Sequence, residues 1–183
     1  VRGPSPDGLN SPRLFTEGTL GGSGQSFRRI DAKRFRVAIA PDEESCEIVV
    51  RVAHERIPPF EQRIHVFRRG DPERVISAGE TSIAVKPDSP YGTMYLRAFP
   101  AKQHSASPLP LCGEPLRLWP AAMPVDRAIR LAFPSPEGNR MPGRVSVYRD
   151  TGSRWSCCSE PGIFAMDARM LGVYALMEDN KPP

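Results

Sequence analysis

Residues 171–183 read LGVYALMEDNKPP, and this closing segment decides how the rest of the chain is interpreted. The apolar and aromatic residues of Leu171–Leu176 suit a pleated surface, so we predict a β-strand there. Acidic and amide residues follow at 178–180. Pro182–Pro183 then removes two N–H donors and favours an extended chain. This order is typical of a β-domain that ends and leads into a stiff linker.

A helix over Phe164–Met177 is the alternative for the same region. Apolar residues recur there at the helical spacings i, i+4, i+7 and i+11, at Phe164, Ala168, Leu171 and Ala175. Gly172 would weaken that helix by about 1 kcal/mol relative to alanine. We therefore favour the strand, and we expect no helix longer than about three turns in the chain.

The composition is that of a folded, proline-rich β-protein. Hydrophobic residues make up 39% and charged residues 25% of the 183 residues, which is a globular balance. The 21 prolines are about twice the usual share and favour many short strands with rigid connections. The net charge of +4 is small and scattered, so it does not argue for a nucleic-acid partner. No apolar run approaches the roughly 18 residues of a membrane helix.

Alternating hydrophobicity predicts strands along the whole chain. The first part holds candidates at 14–15, 35–39, 48–52 and 64–67, with Pro58–Pro59 expected to break the chain between the last two. After the turn-rich segment Arg68–Pro72, seven more strands are predicted, at 81–85, 93–99, 115–119, 128–133, 144–149, around Trp155 and at 171–176. Strands at this spacing, separated by Pro, Asp, Gly and Asn, suit antiparallel sheets in a Greek-key sandwich.

We therefore predict an all-β protein of antiparallel β-sandwich modules in tandem. A loop-rich N-terminal segment spans 1–30, a small β-module spans 31–72, and a larger sandwich spans 73–183 and ends in the proline-rich linker. The core of the larger sandwich is predicted to take Ile83, Val85, Leu96, Leu118, Ile129, Leu131, Phe133, Val145, Val147 and Val173.

No catalytic or cofactor motif is present in the sequence. The three histidines, His54, His65 and His104, lack the spacing of a zinc site and stand beside no recognisable nucleophile. The glycines at 21–24 do not follow a strand and open a helix, as a phosphate-binding loop requires. We expect a non-enzymatic protein with no cofactor and no metal.

Four cysteines leave the redox state open. Cys46, Cys112, Cys157 and Cys158 fit no zinc ribbon, because the only close pair is adjacent. One disulfide from Cys46 or Cys112 to Cys157 or Cys158 would suit an oxidising compartment. Buried free thiols are the alternative.

Three aromatic residues are the candidate binding residues. Trp119, Tyr148 and Trp155 would form a platform for stacking sugars if they shared one exposed surface. Packing in the core is the alternative that we favour, because large aromatic side chains dominate the cores of small sandwiches.

From about residue 77 onward the chain resembles a known module. The resemblance rests on SIAVKPDSPYGTMYLRAF, EPLRLWP, AIRLAFPSPEG, RVSVYRDTGSRW and the closing segment. Together they look like the ZU5-like β-module that follows the catalytic domain in bacterial M23 (lysostaphin/LytM-type) peptidases. In those proteins the closing phrase leads into an immunoglobulin-like module. The matching positions here are Leu171, Gly172, Tyr174, Ala175, Leu176, Asp179, Pro182 and Pro183.

The resemblance implies an accessory function in the bacterial cell envelope, in the periplasm or outside the cell. The zinc motifs of the peptidase class, His-x-x-x-Asp and His-x-His, are absent from this sequence, so its activity is not implied. The module would position a peptidase or another partner at the cell wall, and its partners would be neighbouring domains of the same polypeptide, peptidoglycan or envelope proteins. A glycan- or protein-binding sandwich and a structural subunit of a larger envelope assembly are the alternatives.

Overall fold

The computed structural model describes residues 46–54, 57–101, 107, 109–136 and 142–179, together with three short strands nearer the N-terminus. Regular structure in these ranges consists of antiparallel β-strands and one 3-10 turn at Pro142–Arg144, which confirms the predicted all-β class. The chain divides into two compact units, Val1–Val66 and Phe67–Pro183, which are described separately. The division predicted at residues 30 and 72 stays a prediction.

The first unit contains two sets of paired strands. Strand β1 (Arg13–Thr16) pairs with β4 (Glu47–His54), and β4 pairs with β5 (Ile57–Arg68), in which the boundary between the units falls. Strands β2 (Phe27–Arg29) and β3 (Phe35–Val37) pair with each other.

The predicted chain break at Pro58–Pro59 is wrong. Strand β5 begins at Ile57 and runs through both prolines. The pairing shifts register between Val52, opposite Phe60, and His54, opposite Ile57, and the two prolines fall inside this shift. Proline fits extended backbone but donates no N–H, so the two residues interrupt the ladder and leave the strand intact.

The second unit is a β-sandwich of two antiparallel sheets. Five strands form one sheet in the order β8-β9-β14-β11-β12, and four form the other in the order β13-β10-β7-β6. Their bounds are β6 Arg74–Ala78, β7 Thr81–Val85, β8 Thr93–Pro100, β9 Leu116–Trp119, β10 Pro124–Ala132, β11 Val145–Asp150, β12 Trp155–Cys157, β13 Ala165–Met170 and β14 Val173–Glu178.

The closing segment is a strand, as predicted, although it begins two residues later at Val173. The alternative helix over Phe164–Met177 is wrong, because the region forms β13 and β14 with Leu171 and Gly172 between them. The backbone of Leu171 bonds to another part of the chain: its N–H donates to the carbonyl of Met123 (2.8 Å) and its carbonyl accepts from Ala122 (3.0 Å). The i, i+4, i+7 and i+11 spacing of apolar residues in this region therefore comes from two strands and the bend between them, and not from a helix.

The core prediction is confirmed for nine of its ten residues, which are buried between the two sheets; Val173 is the exception. Val173 lies directly opposite Arg117 and is only half-buried, so it points away from the core. Successive residues of a strand alternate between faces, and the burial of Tyr174 places Val173 on the other side.

Two strands of this unit were not predicted, β6 and β13. Strand β13 has the sequence AMDARM, whose alanines and charged residues have low strand propensity. It forms because β10 pairs with it, and it gives the core Ala168, with the partly buried Met166 packed against the same cluster. Strand β6 pairs with β7 over its full length, although only Ile76 and Ala78 are buried. Tertiary pairing outweighs local propensity in both cases.

Candidate binding surface

The five-stranded sheet turns one face to the core and the other away from it. We call the second the outer face. Residues directly opposite each other on neighbouring strands share a face. The register therefore gives a continuous row across the outer face, formed by Phe99, Arg117, Val173, Asp150 and Trp155.

A cation and two aromatic rings form one end of the outer face. The guanidinium carbon of Arg97 lies 4.9 Å from the ring centre of Phe99 and 5.5 Å from that of Trp119. Tyr95, two residues before Arg97, is on the same face. Trp119 is 45% exposed and Tyr95 41%. We name Tyr95, Arg97, Phe99 and Trp119 the aromatic cluster.

The position of Arg97 keeps its charge close to the rings. Burial lowers the pKa of Arg97 from its ordinary value, but an arginine side chain remains protonated in proteins. A guanidinium over an aromatic face contributes about 0.5–1 kcal/mol at an exposed site and about 2 kcal/mol when it is desolvated. The cluster thus offers a positive charge beside exposed ring surface.

Backbone hydrogen bonds fix the strand end that carries Trp119. Leu118 donates its N–H to the carbonyl of Gly172 at 2.8 Å, and the Trp119–Pro120 peptide bond is cis. Ala122, with a positive φ of 60°, donates to Leu171 at 3.0 Å. The residues on both sides of the indole are thereby tied to the connection between β13 and β14.

Two buried donors on the outer face have no hydrogen-bond partner. They are Nε of Arg117 and Nε1 of Trp155, which stand in the same row on β9 and β12. An unsatisfied buried donor costs about 1–3 kcal/mol, and most native donors are paired. Both atoms are shielded from solvent, so a ligand on the outer face does not reach them directly.

Tyr148 and Cys157 form the other end of the outer face. They stand directly opposite each other on β11 and β12. Burial, followed by the proximity of Cys157 and Asp179, raises the pKa of Tyr148 to about 12. The phenol therefore stays neutral near pH 7 and can still donate a hydrogen bond.

The three predicted binding residues all lie on the outer face, but they do not form one platform. Trp155 is a diagonal neighbour of Tyr148, about 7–8 Å away across the β11–β12 pair. Trp119 lies two strands across the sheet from Tyr148 and four residues along the strand direction. The usual strand spacing and rise per residue give a separation of roughly 16 Å. The expected packing of Trp119 in the core is wrong, because the residue is almost half exposed.

Sequence reasoning missed the rest of the aromatic cluster and Arg117. The signal for three of these residues was present in β8, where Tyr95, Arg97 and Phe99 alternate with the core-facing Met94, Leu96 and Ala98. Their contact with Trp119 depends on the pairing of Arg97 with Trp119 across β8 and β9. Sequence alternation gives the face of a residue but not its neighbour on the next strand.

No disulfide joins the four cysteines, all of which lie in described parts of the chain, so the expected bridge is not observed. The alternative of buried thiols holds for Cys112 alone. Cys46 and Cys157 are exposed, Cys112 is buried and Cys158 is half-buried. The Cys157 thiol contacts the carbonyl of Ser159 at 3.2 Å, and the Cys158 thiol that of Ser156 at 3.3 Å. Burial, together with Cys157, raises the pKa of Cys158, whereas an activated thiolate needs a lowered one.

Among the residues that the structure describes, no three His, Cys, Asp or Glu side chains gather as metal ligands would. His65 instead faces Glu47 across β4 and β5, with Nδ1 3.4 Å from a carboxylate oxygen. Side chains of His54 and His104 lie outside the described residues.

No described helix has the length and apolarity needed to cross a membrane.

Comparison with known proteins adds no relative to this picture. No protein-family model matches the chain, and neither does any curated protein or solved structure. The resemblance to the ZU5-like module therefore stays a prediction from the sequence.

Proposed function

We propose that this chain is a non-catalytic accessory module of a bacterial cell-envelope protein, and that it holds a peptidase or another partner at the cell wall. The observation that carries the proposal is the aromatic cluster on the outer face, with Trp119 and Tyr95 exposed beside the charge of Arg97. Exposed aromatic side chains grouped with arginine are typical of binding surfaces.

The outer face suits a saccharide or peptide of the wall. Exposed rings offer flat apolar surface for the C–H face of a sugar, and Arg97 offers a charge for a carboxylate. Because paired strands carry these residues, the surface is formed before a ligand arrives, which reduces the ordering cost of binding.

Placement in the envelope rests on the resemblance of the closing segment, which leads into a further module in the M23 peptidases. The two prolines at 182–183 would make that connection stiff. A module that binds the wall through one face and continues into a stiff linker would hold its neighbour at a limited range of distances.

Sedimentation with purified peptidoglycan tests the proposal. We expect the chain to pellet with the insoluble wall in a saturable manner. The double variant Tyr95→Ala/Trp119→Ala should bind at least about tenfold more weakly, as expected when exposed anchor residues are removed. Tyr91→Ala is the matched control, because Tyr91 is 64% exposed but lies in the β7–β8 connection, outside the cluster.

Two results would contradict the proposal: no binding to peptidoglycan, or binding that Tyr95→Ala/Trp119→Ala and Tyr91→Ala reduce equally. A protein-binding sandwich is the second candidate, favoured by the tryptophan, tyrosine and arginine of the cluster, the residues that dominate protein interfaces. That function predicts loss of a protein partner in the double variant while sedimentation with peptidoglycan is absent throughout.

A further inference from the structure

A cleft of about 380 Å³ opens at one end of the sandwich, lined by residues other than those of the outer-face cluster. It lies among the turn between β6 and β7, the end of β8, the segment before β9 and the segment after β10. This volume is within the range of small-molecule sites in proteins, roughly 300–1,000 Å³.

Rigid apolar residues form much of the wall. Four prolines line the cleft, at Pro100, Pro115, Pro134 and Pro136, beside the ring of Phe133. Proline has a fixed φ and little side-chain freedom, so such a wall loses little entropy when a ligand binds. Backbone hydrogen bonds secure two wall segments, from Ala101 to Pro115 at 2.6 Å and from Phe133 to Phe164 at 2.8 Å.

The described residues that line the cleft carry only acidic charges. They include Glu80 and Glu114 and no lysine, arginine or histidine. The complete chain has the opposite balance, with 25 basic and 21 acidic residues. Both carboxylates belong to exposed residues, so a ligand can reach them from solvent. The charge of the cleft is thus complementary to a cation.

The Cys112 thiol provides a reporter within the same wall. Cys112 is buried in the fold and lines the cleft. Its backbone N–H donates to the carbonyl of Leu176 at 2.9 Å, which fixes the residue against β14. A ligand in the cleft would lie beside Cys112, whose Sγ is 4.0 Å from the carbonyl oxygen of Pro110.

We propose that the cleft binds an aliphatic amine, with the hydrocarbon chain against the prolines and Phe133 and the ammonium group at Glu80 and Glu114. Apolar burial contributes about 0.8 kcal/mol for each methylene, and a charge-assisted hydrogen bond selects the ammonium group. This site is separate from the outer face, and the inference goes beyond the proposed function.

The test uses hexylamine as the probe and the alkylation rate of Cys112 as the readout. In the variant Cys46→Ser/Cys157→Ser/Cys158→Ser, N-ethylmaleimide reacts only at Cys112, and mass spectrometry follows the reaction. We expect hexylamine to slow alkylation in a saturable manner, and hexanol and hexanoate of equal chain length to protect much less. Glu80→Gln/Glu114→Gln should weaken protection by hexylamine at least about tenfold. Glu160→Gln, an exposed carboxylate outside the cleft, should leave it unchanged.

Equal protection by hexanol and hexylamine, or no protection by either, would overturn the proposal. If N-ethylmaleimide does not reach Cys112, the amide NMR signals of Gly79, Cys112 and Leu176 replace the alkylation readout. Saturable shifts with hexylamine that depend on both glutamates support the site, and the absence of such shifts overturns it. Failure here leaves the outer-face proposal intact, because the peptidoglycan assay tests different residues.

Discussion

Tyr174 shows how a single polar side chain is accommodated in this core. The residue is 1% exposed, and its hydroxyl donates to the carbonyl of Met170 at 2.5 Å. Burial is the main cause that raises the pKa of Tyr174 to about 12, with Cys158 adding to the rise and Arg149 opposing it. Arg149 lies directly opposite Tyr174 in the register of β11 and β14. The neutral phenol is therefore part of the packed core.

The raised pKa of Tyr174 predicts a loss of stability at alkaline pH. The unfolded chain ionises near pH 10 and the folded chain near pH 12. Between these values the unfolded state binds fewer protons, so the free energy of unfolding falls as the pH rises. We expect Tyr174→Phe to be less stable than the parent near neutral pH but to lose less stability between about pH 9 and pH 12. Urea unfolding across this range measures the difference, with Tyr91→Phe as the exposed control.

A parallel decline in the parent and in Tyr174→Phe would show that the phenol does not cause the alkaline loss.

Leu131 gives the corresponding prediction for an apolar residue. It is fully buried on β10, between the two sheets. Leu131→Ala should lower the free energy of unfolding by about 2–5 kcal/mol, because it removes buried surface and leaves a cavity. Val75→Ala is the control, since Val75 is 62% exposed on β6 and should change stability by less than about 0.5 kcal/mol. Chemical denaturation measures both, and a loss below about 0.5 kcal/mol for Leu131→Ala would contradict the assigned face.

At the scale of elements, the β11–β12 hairpin determines where Trp155 lies. Thr151 donates its N–H and its hydroxyl to the carbonyl of Arg154, at 2.9 and 2.8 Å. Gly152 donates to the carboxylate of Asp150 at 2.7 Å and has a φ of 89°. This left-handed backbone favours glycine, and the turn brings Trp155 opposite Asp150.

Gly152→Ala should therefore strain the hairpin. We expect it to lower the free energy of unfolding by about 1–2 kcal/mol, the cost of a side chain in left-handed backbone. Gly92→Ala is the matched control: open space surrounds both positions, but Gly92 has no positive φ. Thermal or urea unfolding compares the two variants. Equal stability of both variants would contradict the role assigned to the Gly152 backbone.

The elements predictable from sequence are those whose alternation is strong. Thr81–Val85 coincides with its predicted strand, because its buried residues alternate with half-buried ones. Strand β13 could not be predicted, because its sequence AMDARM has a low propensity for strands. Its pairing with β10 stabilises it, and this pairing cannot be seen in the sequence. The aromatic cluster was partly predictable for a similar reason. Alternation identifies the outer-face residues of β8, but the contact between Arg97 and Trp119 follows from a register that is set by the whole sheet.

At the scale of the whole molecule, the second unit contains a complete core. Every residue of its buried apolar cluster lies between Phe67 and Leu176, and both sheets contribute to it. A domain with its own core can fold alone. We therefore expect a fragment of residues 67–183 to unfold cooperatively on heating and to give a dispersed amide NMR spectrum. The complete chain serves as the reference. A fragment with the narrow spectrum of an unfolded chain would show that residues before 67 are required.

We propose that the outer face of the five-stranded sheet is the functional surface. The most direct measurement is an amide NMR titration of the isotope-labelled chain with soluble peptidoglycan fragments. We expect saturable shifts centred on Tyr95, Arg97 and Trp119, and their loss in Tyr95→Ala/Trp119→Ala. Shifts centred instead on the exposed face of the other sheet, around Val75 and Arg130, or no shifts at all, would contradict it.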